Sequence, residues 1–129
     1  MRSIHDAIKF ANSLLAAVFT ASGNGSAVDT MGYNDVEVVV SAGTIDTSSG
    51  NETYAFSVEE SADGSTGWTA ISGATNTVTA SNQIKTIRVG KPSKRYVRTV
   101  LTAGGTTPSI ACSAIVALGN AFRKPVGNV

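Results

Sequence analysis

The stretch Asp35–Ala42, with the sequence DVEVVVSA, decides the fold class because apolar and polar residues alternate along it. In an extended chain, Val36, Val38 and Val40 fall on one face and Glu37 falls on the other. β-branched side chains in this pattern are typical of a strand with one buried face. We therefore predict a β-strand here, packed against a hydrophobic core.

Similar alternation recurs on both sides of this stretch, in segments separated by turns rich in Gly, Ser, Thr and Asn. Thr53–Ser61 and Ile110–Gly119 are clear examples. The other candidate strands are Leu15–Thr20, Ala27–Thr30, Trp68–Ser72, Thr75–Ala80, Ile84–Val89 and Arg95–Thr102. Roughly seven to nine short strands at a spacing of about ten residues predict an all-β fold, an antiparallel β-sandwich of jelly-roll type in a single domain.

The 129 residues divide into three segments by pattern. We expect an N-terminal arm at 1–13, either a short amphipathic helix or an extended segment, because Ile4 and Ile8 recur near helical spacing. The β-sandwich domain is expected over 14–119, and an extended C-terminal tail over 120–129. An isolated arm of this length is marginally ordered in water, so it must gain order from a surface that it packs against.

Composition limits the chemistry that this chain can perform. Charged residues make up 15% of the sequence and the formal net charge is +1, so nucleic acid and anionic membranes are not expected as partners. No apolar run approaches the roughly 20 residues that span a bilayer. The one cysteine, Cys112, lies on the inward face of a predicted strand, and the one histidine, His5, lies in the arm. Without a nucleophile–base pair or metal-ligand spacing, we expect no enzyme activity, metal or cofactor.

Lys91, Lys94, Arg95 and Arg98 form one basic cluster, in which Tyr96 is interleaved. Such a cluster contacts nucleic acid or an acidic protein surface, or it is a solvated strand start that discourages edge-to-edge pairing. Both interpretations stay open from the sequence alone. The nearly neutral whole chain favours a protein surface over nucleic acid if the cluster binds a partner.

Three groups of residues occur together in this chain. They are MRSIH at 1–5 with NSL at 12–14 and GSAVD at 25–29; VEESADG at 58–64 with WT at 68–69; and KRYVR at 94–98 with AIVALG at 114–119 and Pro125. In this layout, which covers nearly the whole chain, the sequence resembles a family of small virion structural proteins of tailed bacteriophages, some of which are similar to capsid decoration, or cement, proteins. The resemblance implies a β-sandwich or jelly roll that assembles on a phage particle, and it implies no catalytic residues.

The leading hypothesis is therefore a decoration protein that is made in the host bacterial cytoplasm and binds the major capsid protein on the exterior of the virion. Self-association into a trimer or another symmetric cluster is expected, because many weak contacts then add through avidity. The candidate interface residues belong to the arm, the basic cluster and the tail: Ile4, His5, Ile8, Phe10, Lys91, Lys94, Arg95, Phe122 and Arg123.

Two alternatives remain. The first is a tail tube or head–tail connector component, against which the short predicted strands argue, because tube subunits expose long strands for pairing. The second is a carbohydrate-binding module in which Trp68 stacks on a sugar, with Tyr54 or Tyr33 as a second aromatic surface. A lone Trp beside a turn more often fills one end of a sandwich core, and we expect that role for Trp68.

Overall fold

The computed structural model describes residues 3–124 and 126–127. Over these residues the chain forms one helical turn and nine strands. They are α1 (Ile4–Ala7), β1 (Lys9–Phe19), β2 (Gly23–Asn24), β3 (Val28–Asp29), β4 (Tyr33–Ile45), β5 (Thr53–Ser61), β6 (Thr69–Val78), β7 (Ile84–Gly90), β8 (Tyr96–Gly104) and β9 (Ile110–Ala121). The predicted all-β class is confirmed.

The strands form two antiparallel sheets that pack face to face. The first sheet has the order β1-β9-β4-β7, and the second has the order β2-β8-β5-β6, with β3 also paired to β8. Between the sheets, Val36, Val38 and Val40 of β4 are fully buried, as are Phe56 and Val58 of β5. The alternation that predicted the strands therefore also identified the core, and the antiparallel β-sandwich is confirmed.

The first strand begins earlier than the sequence predicted. β1 starts at Lys9, so the boundary predicted between residues 13 and 14 falls inside a strand, and the helical spacing of the arm produces only the single turn α1. The buried Ser13 explains this difference. Its hydroxyl donates to the Ser26 carbonyl at 3.2 Å and accepts from the Thr99 N–H at 2.9 Å, which ties β1 to the second sheet.

The predicted tail also begins inside a strand, because β9 continues to Ala121. Beyond it the chain returns to the arm: the Val126 N–H donates to the Asp6 carbonyl at 3.0 Å, and the Val126 side chain is buried. Residues 122–124, which directly follow β9, form a bend rather than the predicted extended segment. Residues 1, 2, 125, 128 and 129 of the arm and tail lie outside the described residues.

Two predicted strands, Trp68–Ser72 and Thr75–Ala80, are one strand, β6. Gly73 lies at φ +78°, in the left-handed region that favours glycine, and the register against β5 shifts between Ser57 and Glu59. This is a bulge, and it lets the chain stay in the same ladder where the sequence pattern is interrupted. The strands of the first sheet are long as well: β4 has 13 residues and β9 has 12.

Antiparallel connections divide the loops between two ends of the sandwich. The end that we call the closed end carries the loops 20–22, 46–52, 79–83 and 105–109. The other end, which we call the cleft end, carries the turns 30–32, 62–68 and 91–95, together with the arm before β1 and the tail after β9. All nine candidate interface residues therefore lie at or beside the cleft end.

Candidate functional site

A cleft of about 310 Å³ opens at the cleft end, between the β3–β4 turn, the β7–β8 turn and the start of the tail. Its walls are largely apolar groups. They belong to Thr30, Met31, Gly32, Tyr33, Lys91, Pro92, Ser93, Lys94, Arg95 and Phe122. Three segments that are distant in the sequence thus meet in one concave surface, and Met31 and Phe122 stand at its rim with 68% and 65% of their surface exposed.

The β3–β4 turn is held by hydrogen bonds on both sides. The Thr30 N–H and hydroxyl both donate to the Arg95 carbonyl, and the Met31 N–H donates to the Asp29 carboxylate at 3.0 Å. Gly32 adopts φ +95°, and its carbonyl accepts from the Phe122 N–H at 2.8 Å. The backbone under the exposed Met31 side chain is therefore fixed, and the tail is attached to the same turn.

The β7–β8 turn is held by one carboxylate of β5. Glu60 accepts from the Ser93 N–H at 3.0 Å, the Ser93 hydroxyl at 2.8 Å and the Lys94 N–H at 3.2 Å. The Lys94 ammonium donates to the Thr69 hydroxyl at 3.1 Å, and the Lys91 ammonium lies 5.9 Å from the Phe122 ring centroid. Both walls of the cleft are consequently preformed by contacts within the chain.

Asp29 and Arg95 form a two-point ion pair beside the cleft. The guanidinium donates through Nε at 2.9 Å and Nη2 at 2.8 Å to the two carboxylate oxygens. The hydrogen bond from Arg95 lowers the pKa of Asp29, and the N–H of Met31 acts in the same direction. Asp29 in turn raises the pKa of Arg95. The charge of Arg95 is thus matched locally, although both side chains remain about half exposed.

Beside the cleft, Lys91 and Arg123 keep an unmatched charge. Across residues 3–124 and 126–127, neither of them lies within salt-bridge distance of a carboxylate. The nearby carboxylates of Asp29 and Glu60 are already engaged, as described above. The rim of the cleft therefore carries positive charge although the whole chain is nearly neutral.

The structure brings together part of the predicted interface set. Lys91, Lys94, Arg95 and Phe122 line the cleft, and Arg123 lines an adjoining hollow that also contacts Met31 and Phe122. The remaining members lie outside the cleft, on the arm and the first residues of β1: exposed Ile4, His5 and Phe10, and half-buried Ile8. The sequence missed Met31, because nothing in a linear pattern separates a loop Met from a core Met. Tyr33, which the sequence offered only as a stacking surface for a sugar, also lines the cleft.

Trp68 does not fill the end of the core, contrary to expectation. It is half-buried outside the core cluster, and the Arg98 guanidinium lies over its ring at 4.3 Å from the centroid. Arg98 also donates to Glu59 at 2.9 and 2.7 Å, so one face of the indole is covered by a fixed cation. Tyr54 cannot be the second stacking surface, because it is only 1% exposed and lies in the core.

Cys112 is buried on the inward face of β9, as predicted, and burial raises the pKa of its thiol to about 11. Within the described part of the chain, no group of three or more His, Cys, Asp or Glu residues is placed to hold a metal ion. No helix among the described residues is long and apolar enough to cross a membrane.

The fold is similar to solved structures of several kinds. Over its whole length the chain matches the PBSX exported protein XepA, with a TM-score of 0.58 and 21% identity, and it spans 42% of that protein. The chain also matches a chain from Bacillus endospore appendages, which are disulfide-linked pili. That match covers 88% of this chain and 89% of the other, with a TM-score of 0.48 and 17% identity. It also matches the C-terminal family 22 carbohydrate-binding module of Clostridium thermocellum Xyn10B, over 87% of both chains, at a TM-score of 0.44 and 15% identity.

No family model matches the chain, and no curated protein matches it. At 21% identity the likeness to XepA shows a shared β-sandwich fold.

Proposed function

We propose that the protein is a non-enzymatic structural component of a tailed-phage particle, and that it decorates the head by binding the major capsid protein through its cleft end. One observation carries the proposal: the residues predicted from the sequence as an interface gather at one end of the sandwich, beside exposed Met31 and Phe122. The fold that the chain shares with the phage PBSX exported protein XepA supports the phage-structural class.

The outer face of the first sheet supports self-association into a symmetric cluster. On β9 the outward positions alternate with the buried ones and carry Ala111, Ser113, Ile115 and Ala117, and Val39 lies opposite Ile115 on β4. This apolar and small-residue part of the face, which lies beside Glu37 and Arg88, is favourable for burial against protein, because few ions have to be desolvated.

A second candidate, a tail tube or connector component, gains support from strand length. The sequence argument against it was that the strands are short, and β1, β4 and β9 have 11, 13 and 12 residues. β1 is also an edge strand of the first sheet and carries exposed Leu15 and Val18. Natural edges are commonly protected by charge, and no charged residue occurs between Phe10 and Val28.

The test is the position of the protein in purified particles, by electron microscopy with labelled protein and by quantification of separated heads and tails. Decoration predicts many copies on the head exterior. Rings of the protein along the tail would favour the second candidate over decoration. Absence of the protein from both heads and tails would contradict both candidates.

A truncation tests the part played by the arm. Residues 1–8 should be removed rather than 1–13, because β1 begins at Lys9 and buries Ser13 and Leu14. We expect weaker particle binding with the sandwich still folded, as judged by circular dichroism. Unchanged binding would remove Ile4, His5 and Ile8 from the interface.

A further inference from the structure

The cleft is small, and one large apolar side chain can occupy it. Its volume of about 310 Å³ is at the lower limit of ligand pockets, which measure about 300–1,000 Å³. Protein interfaces concentrate their binding energy where a large apolar side chain enters such a preformed hollow. The exposed rim residues Met31 and Phe122 supply the apolar contact, and thioether side chains adapt to aromatic and aliphatic partners alike.

The rim selects the charge of the occupant. Lys91 and Arg123 have no carboxylate within salt-bridge distance in the described residues, while the carboxylates of Asp29 and Glu60 are engaged with Arg95 and with the β7–β8 turn. Two free cations beside an apolar hollow are complementary to a peptide that carries Asp or Glu on each side of an apolar residue.

We propose that the cleft binds an acidic peptide segment of a partner subunit, with one large apolar side chain seated between Met31 and Phe122 and the flanking carboxylates facing Lys91 and Arg123. The identification of the partner as a virion subunit rests on the proposed function, whereas the chemistry of the cleft does not. A peptide is favoured over nucleic acid because the formal net charge is only +1, and phosphate binding draws on many cations.

The first experiment titrates the full chain with the peptide acetyl-Asp-Glu-Phe-Glu-Asp-amide. The signal is the methyl resonance of Met31, which is one of only two methionines in the sequence. We expect saturable shifts that weaken as the salt concentration rises. Peptides with Phe replaced by Ser, or with Asp and Glu replaced by Asn and Gln, should bind at least about tenfold more weakly.

Variants locate the binding on the protein. Met31→Ser and Lys91→Glu should each weaken peptide binding by about threefold to tenfold. Isothermal titration calorimetry measures the affinity of the variants, because Met31→Ser lacks the reporter methyl. The matched controls are Ile84→Ser and Lys85→Glu on β7. Ile84 is 70% exposed, and both positions lie near the closed end. These controls should leave the affinity unchanged, and circular dichroism should show that all four variants are folded.

Several outcomes would overturn the proposal. They are the absence of saturable shifts, equal binding of the neutral peptide, equal weakening by the β7 controls, or tighter binding of a single-stranded oligonucleotide at the same resonance. Cosedimentation with phage heads then separates the two proposals. If the wild-type chain binds heads and Met31→Ser binds equally well, the cleft proposal fails and decoration stands. If the wild-type chain binds the peptide but not heads, decoration fails and the cleft proposal stands.

Discussion

The two ends of the sandwich are built from the same strands, yet they use their polar groups differently. At the closed end, Tyr54 donates its hydroxyl to the Asp46 carbonyl at 2.6 Å and accepts from the Ser109 N–H at 2.9 Å. Asn51 bonds the Thr106 hydroxyl and N–H at 2.9 and 3.1 Å. At the cleft end, hydrogen bonds fix the backbone of the turns, while Met31 and the free cations remain exposed.

This difference indicates which end of the sandwich has side chains available to bind a partner. Loops that satisfy each other's donors and acceptors have few groups left for a partner. Loops that are fixed from beneath can present apolar and charged side chains without a large loss of order on binding. We therefore expect the closed end to contribute more to stability, and we propose recognition for the cleft end; substitutions at matched positions should separate the two.

The largest effect is expected for Gly105→Ala at the closed end. Gly105 lies at φ +103°, and a Cβ there would be 2.6 Å from the Glu52 Cα and 2.7 Å from the Asn51 carbonyl oxygen. Backbone strain and a clash with backbone atoms together should lower the free energy of unfolding by about 3 kcal/mol or more. Urea denaturation measures the change.

Gly32→Ala is the matched variant at the cleft end. Gly32 also has a positive φ, +95°, but nothing lies within 4 Å of its Cβ position. Only the backbone strain remains, so we expect a loss of about 1 kcal/mol. Equal losses for the two glycines would show that the closed end is no more tightly packed than the cleft end.

The next loss of stability is expected for Tyr54→Phe at the closed end, and Tyr33→Phe at the cleft end is the variant compared with it. Tyr54→Phe removes a hydroxyl that serves two partly buried backbone groups, and it should lower the free energy of unfolding by about 1–2 kcal/mol. Tyr33→Phe at the cleft should change stability by less than about 0.5 kcal/mol, because the half-buried ring keeps its packing against the core and no described residue bonds the hydroxyl. Thermal unfolding of both variants makes the comparison, and a larger loss for Tyr33→Phe would contradict it.

Much of the framework was predictable because burial imposes a local period. The predicted limits Thr53–Ser61 coincide with β5, and the inward valines of β4 are all buried. The start of β1 was not predictable, since it depends on Ser13 bonding to Thr99 on a strand that is distant in the sequence. The bulge at Gly73 likewise interrupts the period of two without ending the strand.

The candidate site was predictable in its charges and in Phe122. Lys91, Lys94 and Arg95 are conspicuous as a cluster in the sequence, and the partners that restrain Lys94 and Arg95 are not. Glu60 and Thr69 reach Lys94, and Asp29 reaches Arg95, only after β3, β5, β6 and β8 have come together at one end. The cleft itself needs contacts between segments that no local pattern relates, so its shape had to come from the structure.

A smaller effect is expected where Arg98 covers Trp68 at the cleft end. Arg98→Lys keeps the charge but loses the planar stack at 4.3 Å and the two-nitrogen contact with Glu59. We expect a loss of about 0.5–1 kcal/mol and a shifted emission spectrum of Trp68, the only tryptophan. Tyr54→Phe at the closed end serves as the control and should leave the emission of the folded protein unchanged. An unaltered spectrum in Arg98→Lys would contradict the stacked arrangement.

The smallest effect concerns pH and salt, and it compares one carboxylate from each end. The folded pKa of Asp29 is lowered mainly by Arg95, and that of Asp46 is lowered by hydrogen bonds from Ser48. A carboxylate whose pKa is lowered by folding stabilises the protein at pH values above the ordinary Asp pKa of 3.8. This contribution is lost as the pH falls through the pKa of the folded state. Asp29→Asn and Asp46→Asn should therefore lower the melting temperature slightly at pH 7, and both differences should shrink below about pH 4.

Salt should then distinguish the two carboxylates. The Asp29–Arg95 pair is an exposed ion pair, so 1 M NaCl should remove most of the difference made by Asp29→Asn at pH 7. The Ser48 N–H reaches Asp46 at 2.8 Å without a cation, so the difference made by Asp46→Asn should persist in the same salt. Equal salt sensitivity at both positions would mean that electrostatics do not distinguish the cleft end from the closed end. The preference of the cleft for an acidic segment would then have to come from the free cations of its rim alone.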